Sequence, residues 1–65
     1  MKTGTVKFYD KTKGWGFITI DNEQSEIFFH VTKVIGQLPN EKDQVQFDVV
    51  TTKKGLAAEN VKIVK

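Results

Sequence analysis

Short runs of β-branched and aromatic residues, each ended by turn residues, constrain the fold of this chain more than any other feature of its sequence. Val, Ile, Thr, Phe and Tyr favour strands, and their alternation with polar residues at a period of two indicates strands with one buried face. No window of the sequence has the period of an amphipathic helix. The sequence therefore predicts five strands, at residues 3–9, 15–20, 26–31, 44–50 and 58–64.

The connections between these strands indicate how they pair. The predicted turns are 10–14, 21–25 and 51–55. The longest connection, 32–43, contains Pro39, which is excluded from a central strand. Five short antiparallel strands in an open sheet would leave unpaired edges, and closure into a barrel removes them. We therefore expect one all-β domain spanning 1–65, a five-stranded antiparallel barrel of either the OB-fold or the SH3-like type.

The stability of so short a chain must come from its apolar core. A chain of 65 residues without cysteine has neither a disulfide nor a thiolate metal site, and its single histidine, His30, cannot form a metal site alone. We expect no metal, no cofactor and a cytoplasmic location. No apolar segment approaches about 18 residues, so we expect no membrane association. A monomer is expected, with weak dimerisation through strand edges as the alternative.

The charged residues favour a polyanionic partner. All ten basic residues are lysine, against eight acidic residues, and the two ends of the chain are basic while its middle is acidic. Arginine is the residue that reads base edges in bidentate fashion, whereas lysine acts as a point charge. A set of lysines alone therefore suits diffuse attraction to a polyanion. The alternative is an ordinary solvated surface.

Alternation assigns two faces to the second and third strands. The aliphatic face is expected to form the core, with Ile18, Ile20, Ile27 and Val31. The other face is expected outside, with Trp15, Phe17, Phe28 and His30. Gly16 lies on the aliphatic side and suits a crowded, strongly curved interior, while Thr19 shares the aromatic side and prefers water. The alternative is that the rings form the core, as large aromatic residues usually do.

An exposed row of rings beside lysines is typical of a surface that binds unpaired nucleobases. Every base has a π-face that stacks on a protein ring, and nearby lysines attract the phosphates. Because the base must first leave its own stack, the expected partner is single-stranded RNA or DNA. Lys7 and Lys13 flank the rings in sequence, and Phe8 or Tyr9 is expected to extend them. Further lysines fall in predicted turns: Lys11, Lys53 and Lys54.

Two motifs at matching spacing resemble those of a known family. Residues 13–18 (KGWGFI) and 27–30 (IFFH) are similar to the two ribonucleoprotein motifs of the bacterial cold-shock proteins. The opening strand at 4–9 and the closing segment at 55–61 are similar as well, so that the resemblance covers nearly the whole chain. It implies an OB-fold that binds single-stranded nucleic acid with low sequence specificity.

The resemblance also assigns roles to individual residues. It implies base stacking by Phe8, Trp15, Phe17, Phe28 and His30. It implies polar and phosphate contacts by Lys7 and Lys13, a basic residue of the last loop in Lys54, and a lesser contribution from Tyr9 at the rim. The function it implies is that of an RNA chaperone that uses no ATP, or of a transcription antiterminator.

The chain departs from the pattern of that family at three places. Val31 stands where an aromatic residue commonly follows the histidine, and the connection 34–42 carries no ring. Asp10 stands where the family usually has an amide, and it adds a negative charge near the site. These departures predict a smaller footprint and weaker binding than in a typical member.

Two other classes of function are weighed against this one. An enzyme is disfavoured, because one histidine, one serine and no cysteine give few nucleophiles, and the carboxylates show no paired spacing. An SH3-like barrel that binds a peptide would use an aromatic groove with acidic residues, whereas the rings here lie beside lysines.

Overall fold

The five predicted strands are present in the structure, a computed structural model that describes residues 1–23 and 25–64. Gln24, inside the predicted turn 21–25, lies outside the described residues. The strands are β1 (Lys2–Asp10), β2 (Trp15–Ile20), β3 (Glu26–His30), β4 (Gln44–Thr52) and β5 (Gly55–Ile63), with a 3-10 turn at Val31–Lys33. β2 has the predicted bounds, and β5 begins earlier than predicted, at the glycine of the last turn.

The strands close into a barrel in the order β1-β2-β3-β5-β4. Four of the five pairings are antiparallel, and β3 pairs with β5 in parallel through Phe28–Ala57 and Phe29–Ala58. The predicted five-stranded barrel of the OB type is thus confirmed, but the sheet is mixed rather than wholly antiparallel because of this short parallel pair. The pair closes the barrel and brings β5 beside the ring-bearing face of β3.

The core lies inside the barrel and contains the residues that alternation assigned to it. Ile18, Ile20 and Ile27 are buried, and Val31 is half-buried against them. The other buried hydrophobic residues are Val6, Tyr9, Phe29, Val45, Phe47, Ala58 and Val61. Among the described residues, no helix is long and apolar enough to cross a membrane.

A bulge in β1 decides which of its residues face outward. Val6 is opposite Ile18 and Phe8 is opposite Phe17, so Lys7 is an extra residue with no partner in β2. Because the bulge interrupts alternation, Lys7 and Phe8 are both exposed and Tyr9 turns inward, where it is only 8% exposed. The expectation that Tyr9 contributes at the rim of the binding surface is therefore wrong.

Candidate nucleic-acid interface

Four aromatic rings form one continuous patch on the outer face of β1, β2 and β3. We call this set the ring patch: Phe8, Trp15, Phe17 and Phe28. The ring centroid of Trp15 lies 5.7 Å from that of Phe8, 5.6 Å from Phe17 and 6.1 Å from Phe28. The rings of Phe17 and Phe28 are also 6.1 Å apart. Trp15 therefore contacts all three other rings. The prediction that Trp15, Phe17 and Phe28 share an outer face is confirmed, and of the two candidates to extend them, Phe8 and Tyr9, the structure places Phe8 beside Trp15.

The register of the strands explains why the rings meet. Phe17 in the central strand is opposite Phe8 in β1 and opposite Phe28 in β3. Trp15, two residues before Phe17, emerges on the same face because side chains alternate along a strand. Phe8 is 40% exposed and Phe28 38% exposed, while the two rings of β2 between them are half-buried. A partner can therefore contact the apolar surface of these rings without any rearrangement of the core.

His30 lies at the margin of the ring patch. It is the last residue of β3, directly opposite Trp15 in β2, and its side chain is exposed. Its imidazole Nδ1 accepts a hydrogen bond from the backbone N–H of Thr32 at 3.3 Å. The ring is therefore held by the chain that follows β3 while it remains accessible beside the rings.

Lys7 reaches across the outer face toward the acidic start of β3. Its Nζ forms an ion pair with the carboxylate of Glu26, two residues before Phe28 on the same face. No role of Glu26 is predictable from the sequence pattern alone. The pairing partly neutralises the ammonium, so that Lys7 adds less positive potential to this face than its position alone indicates.

Asp10 and Lys13 form part of the turn between β1 and β2. The Asp10 carboxylate accepts the backbone N–H groups of Thr12 and Lys13, each at 3.0 Å. The Asp10 carboxylate thus stabilises the turn that contains Lys13, and the side chain of Lys13 is exposed. The acidic residue that departs from the family pattern therefore has a structural role in shaping this turn.

A cleft beside Phe28 extends the ring patch onto the last hairpin. It has a volume of about 340 Å³ and is lined by Phe28, Thr52, Lys54, Leu56 and Ala57. Lys54, predicted from sequence, thus lines the same cleft as Phe28. Leu56 is 60% exposed and was not predicted. Only the parallel pairing of β3 with β5 places this leucine beside Phe28, and no local pattern reveals such a long-range pair.

Two lysines of the site take no part in the ion pairs found among the described residues. Among residues 1–23 and 25–64 the structure has two ion pairs, Lys7 with Glu26 and Lys2 with Glu23. Lys13 and Lys54 belong to neither. In the same part of the chain, no three metal-ligating side chains come together. The interface is thus a surface of rings with positive charge at two of its edges.

Comparison with known proteins agrees with this geometry. The family described as "'Cold-shock' DNA-binding domain" has a sequence model that matches residues 2–64. The chain is 43% identical over 63 residues to a cold shock-like protein of Aquifex aeolicus (strain VF5), covering 92% of this chain and 90% of that protein. It is 36% identical over 64 residues to the major cold shock protein of Micrococcus luteus, covering 94% of this chain and 96% of that protein.

The fold of the chain is also similar to that of a solved structure. The chain superposes on drosophila Unr CSD456 with a TM-score of 0.83 and 27% sequence identity. The match covers 98% of this chain and 26% of that one, so this chain spans about a quarter of the structure that it resembles.

Proposed function

Since the chain belongs to the cold-shock DNA-binding domain family, we propose that it binds single-stranded RNA or DNA through the ring patch, with little sequence preference. The observation that carries the proposal is the contact of Trp15 with three other rings on an outer face. An apolar ring surface of this kind costs free energy in water, and a stacked base covers it. Stacking contributes about 1–3 kcal/mol per base.

The low sequence preference follows from the kinds of groups at the surface. Ring faces accept any base, and the lysines contact phosphates that every sequence shares. The side chain that reads guanine most effectively, arginine, does not occur in the chain. We expect His30 to stack a base at the edge of the patch, and Lys7, Lys13 and Lys54 to lie along the phosphates.

The contribution of Lys54 is expected to appear in the salt dependence of binding. Each phosphate contact on a single strand contributes about 0.7 to the slope of log K against log salt concentration. Lys54→Gln should therefore lower that slope by about 0.7. The measurement is a titration of fluorescently labelled oligo-dT at several salt concentrations.

Lys62 provides the matched control for this substitution. It lies at the other end of β5, beside a different depression lined by Ile35 and Ile63. Lys62→Gln should leave the slope unchanged. Equal changes for the two variants would mean that positive charge acts only through the net charge of the domain, and that Lys54 makes no phosphate contact.

We further propose that binding of unpaired bases makes the protein an RNA chaperone that uses no ATP. A protein that binds only the open form of a hairpin shifts the equilibrium toward that form by mass action. The same shift in a terminator hairpin would act as transcription antitermination. The supporting feature is that the rings can stack only on bases already removed from a duplex.

The chaperone proposal predicts that the protein opens a weak RNA hairpin without ATP. A hairpin with a fluorophore and a quencher at its ends should show a lower melting temperature as the protein concentration rises. A variant with Phe17→Ala and Phe28→Ala should lose this effect, because it lacks two stacking surfaces. Equal melting with and without the protein, under conditions in which oligo-dT binds, would limit the function to binding.

A further inference from the structure

The hydrogen bonds of His30 determine where its imidazole carries a proton. His30 caps the 3-10 turn Val31–Lys33, and its side chain accepts from the backbone N–H of Thr32. The same nitrogen, Nδ1, lies 3.0 Å from the hydroxyl oxygen of Thr32. Both contacts therefore join Nδ1 of His30 to Thr32.

The backbone contact favours one arrangement of the neutral ring. A backbone N–H can only donate, so Nδ1 must offer it a lone pair. In a neutral imidazole the other nitrogen, Nε2, then carries the hydrogen. The hydroxyl of Thr32 can rotate to donate to Nδ1 as well, and this reinforces the same tautomer. A hydrogen on Nδ1 could donate to the hydroxyl oxygen of Thr32, but the backbone N–H of Thr32 would then lose its acceptor, so this tautomer is disfavoured.

Nε2 is the nitrogen that remains available to a ligand. None of the hydrogen bonds found among residues 1–23 and 25–64 uses it, and the side chain is exposed opposite Trp15. A ring that stacks on a base through its face can still donate through its edge. His30 is therefore able to contribute a hydrogen-bond donor to the same ligand that its ring contacts.

We infer that Thr32 is a positioning residue that holds His30 with its hydrogen on Nε2, so that the ring donates to an acceptor oxygen of the bound nucleic acid. The acceptor is either a base carbonyl or a phosphate oxygen. This role rests on the proposed function, since it concerns the same surface, but the state of the ring in the free protein is independent of any ligand.

The tautomer is measured by nitrogen-15 and carbon-13 chemical shifts of the imidazole in mildly alkaline buffer. Since His30 is the only histidine of the chain, its signals need no assignment among others. The free wild-type protein should show the hydrogen on Nε2. Thr32→Val keeps the backbone N–H that donates to Nδ1 and loses only the hydroxyl contact, so it should keep the hydrogen on Nε2, and Thr32→Ser should match the wild type. A hydrogen on Nδ1 in the wild type would overturn the inference.

Binding by the same variants tests the role of the donor. Thr32→Val should weaken binding of oligo-dT roughly 2- to 10-fold, as for loss of one ordered hydrogen bond, with Thr32→Ser close to wild type. An abasic oligomer of equal length separates the two acceptors. An equal factor for both ligands indicates a phosphate, and a loss confined to oligo-dT indicates a base carbonyl.

Two other results would count against the proposal in different ways. Unchanged binding of both ligands by Thr32→Val would overturn the positioning role. Absence of any binding of oligo-dT by the wild type would overturn the proposed function and the donor role with it, whereas the tautomer measurement would still decide what Thr32 does to the ring.

Discussion

Gly16→Ala is expected to destabilise the domain severely. A Cβ at this position would overlap the backbone oxygen of Phe8, and it would lie 2.9 Å from Cε1 of Phe29 and 3.0 Å from Cα of Tyr9. Two of these atoms belong to the backbone of β1, which cannot withdraw without breaking its pairing with β2. The expected cost is about 3 kcal/mol or more, in a domain whose whole stability is on the order of 5 kcal/mol. Thermal unfolding followed by circular dichroism measures it.

Gly36→Ala is the control that separates a clash from backbone strain. Gly36 has a φ of +78°, and a Cβ there would meet nothing within 4 Å. Its replacement should cost about 1 kcal/mol, the strain of a side chain in the left-handed region. Similar melting temperatures for the two variants would show that β1 and β2 do not approach each other at Gly16 as closely as described.

Phe28→Ala and Phe29→Ala are expected to have opposite consequences although the residues are neighbours. Phe29 is 0% exposed and lies against Tyr9 with ring centroids 5.7 Å apart. Its truncation should cost about 3–5 kcal/mol and leave little folded protein. Phe28 is 38% exposed and belongs to the ring patch. Its truncation should leave the fold intact and weaken oligo-dT binding by about 1–3 kcal/mol.

Two measurements on each variant distinguish these outcomes. Denaturant unfolding gives the stability, and titration of a labelled oligo-dT gives the affinity. Phe17→Ala is a second member of the ring patch and should behave like Phe28→Ala. If Phe28→Ala unfolded the protein as readily as Phe29→Ala, the assignment of faces in β3 would be wrong, and with it the site.

The assignment of faces was predictable because β2 and β3 are regular. Their side chains alternate without interruption, so aliphatic residues and rings separate onto two sides, and Gly16 and Thr19 indicate which side is which. Phe8 was predictable only as one of two candidates. The bulge at Lys7 decides between Phe8 and Tyr9, and a bulge of this kind leaves no local mark in the sequence.

The parts of the site that depend on distant pairing could not be predicted. Leu56 joins the cleft because β5 lies parallel to β3 at Phe28 and Ala57. Glu26 neutralises Lys7 because the two side chains meet across the outer face. Both are consequences of barrel closure and register, which local alternation does not determine. The resemblance to cold-shock proteins covered the positions of the rings but not these contacts.

The fluorescence of Trp15 tests the central claim most directly, because the only tryptophan of the chain lies at the centre of the ring patch. The measurement is a titration with oligo-dT and with a duplex of equal length, at low and at high salt. We expect the single strand to quench the emission, the duplex to have little effect, and binding to weaken as salt rises. Emission unchanged by oligo-dT at low salt, or quenched equally by the duplex, would contradict the account.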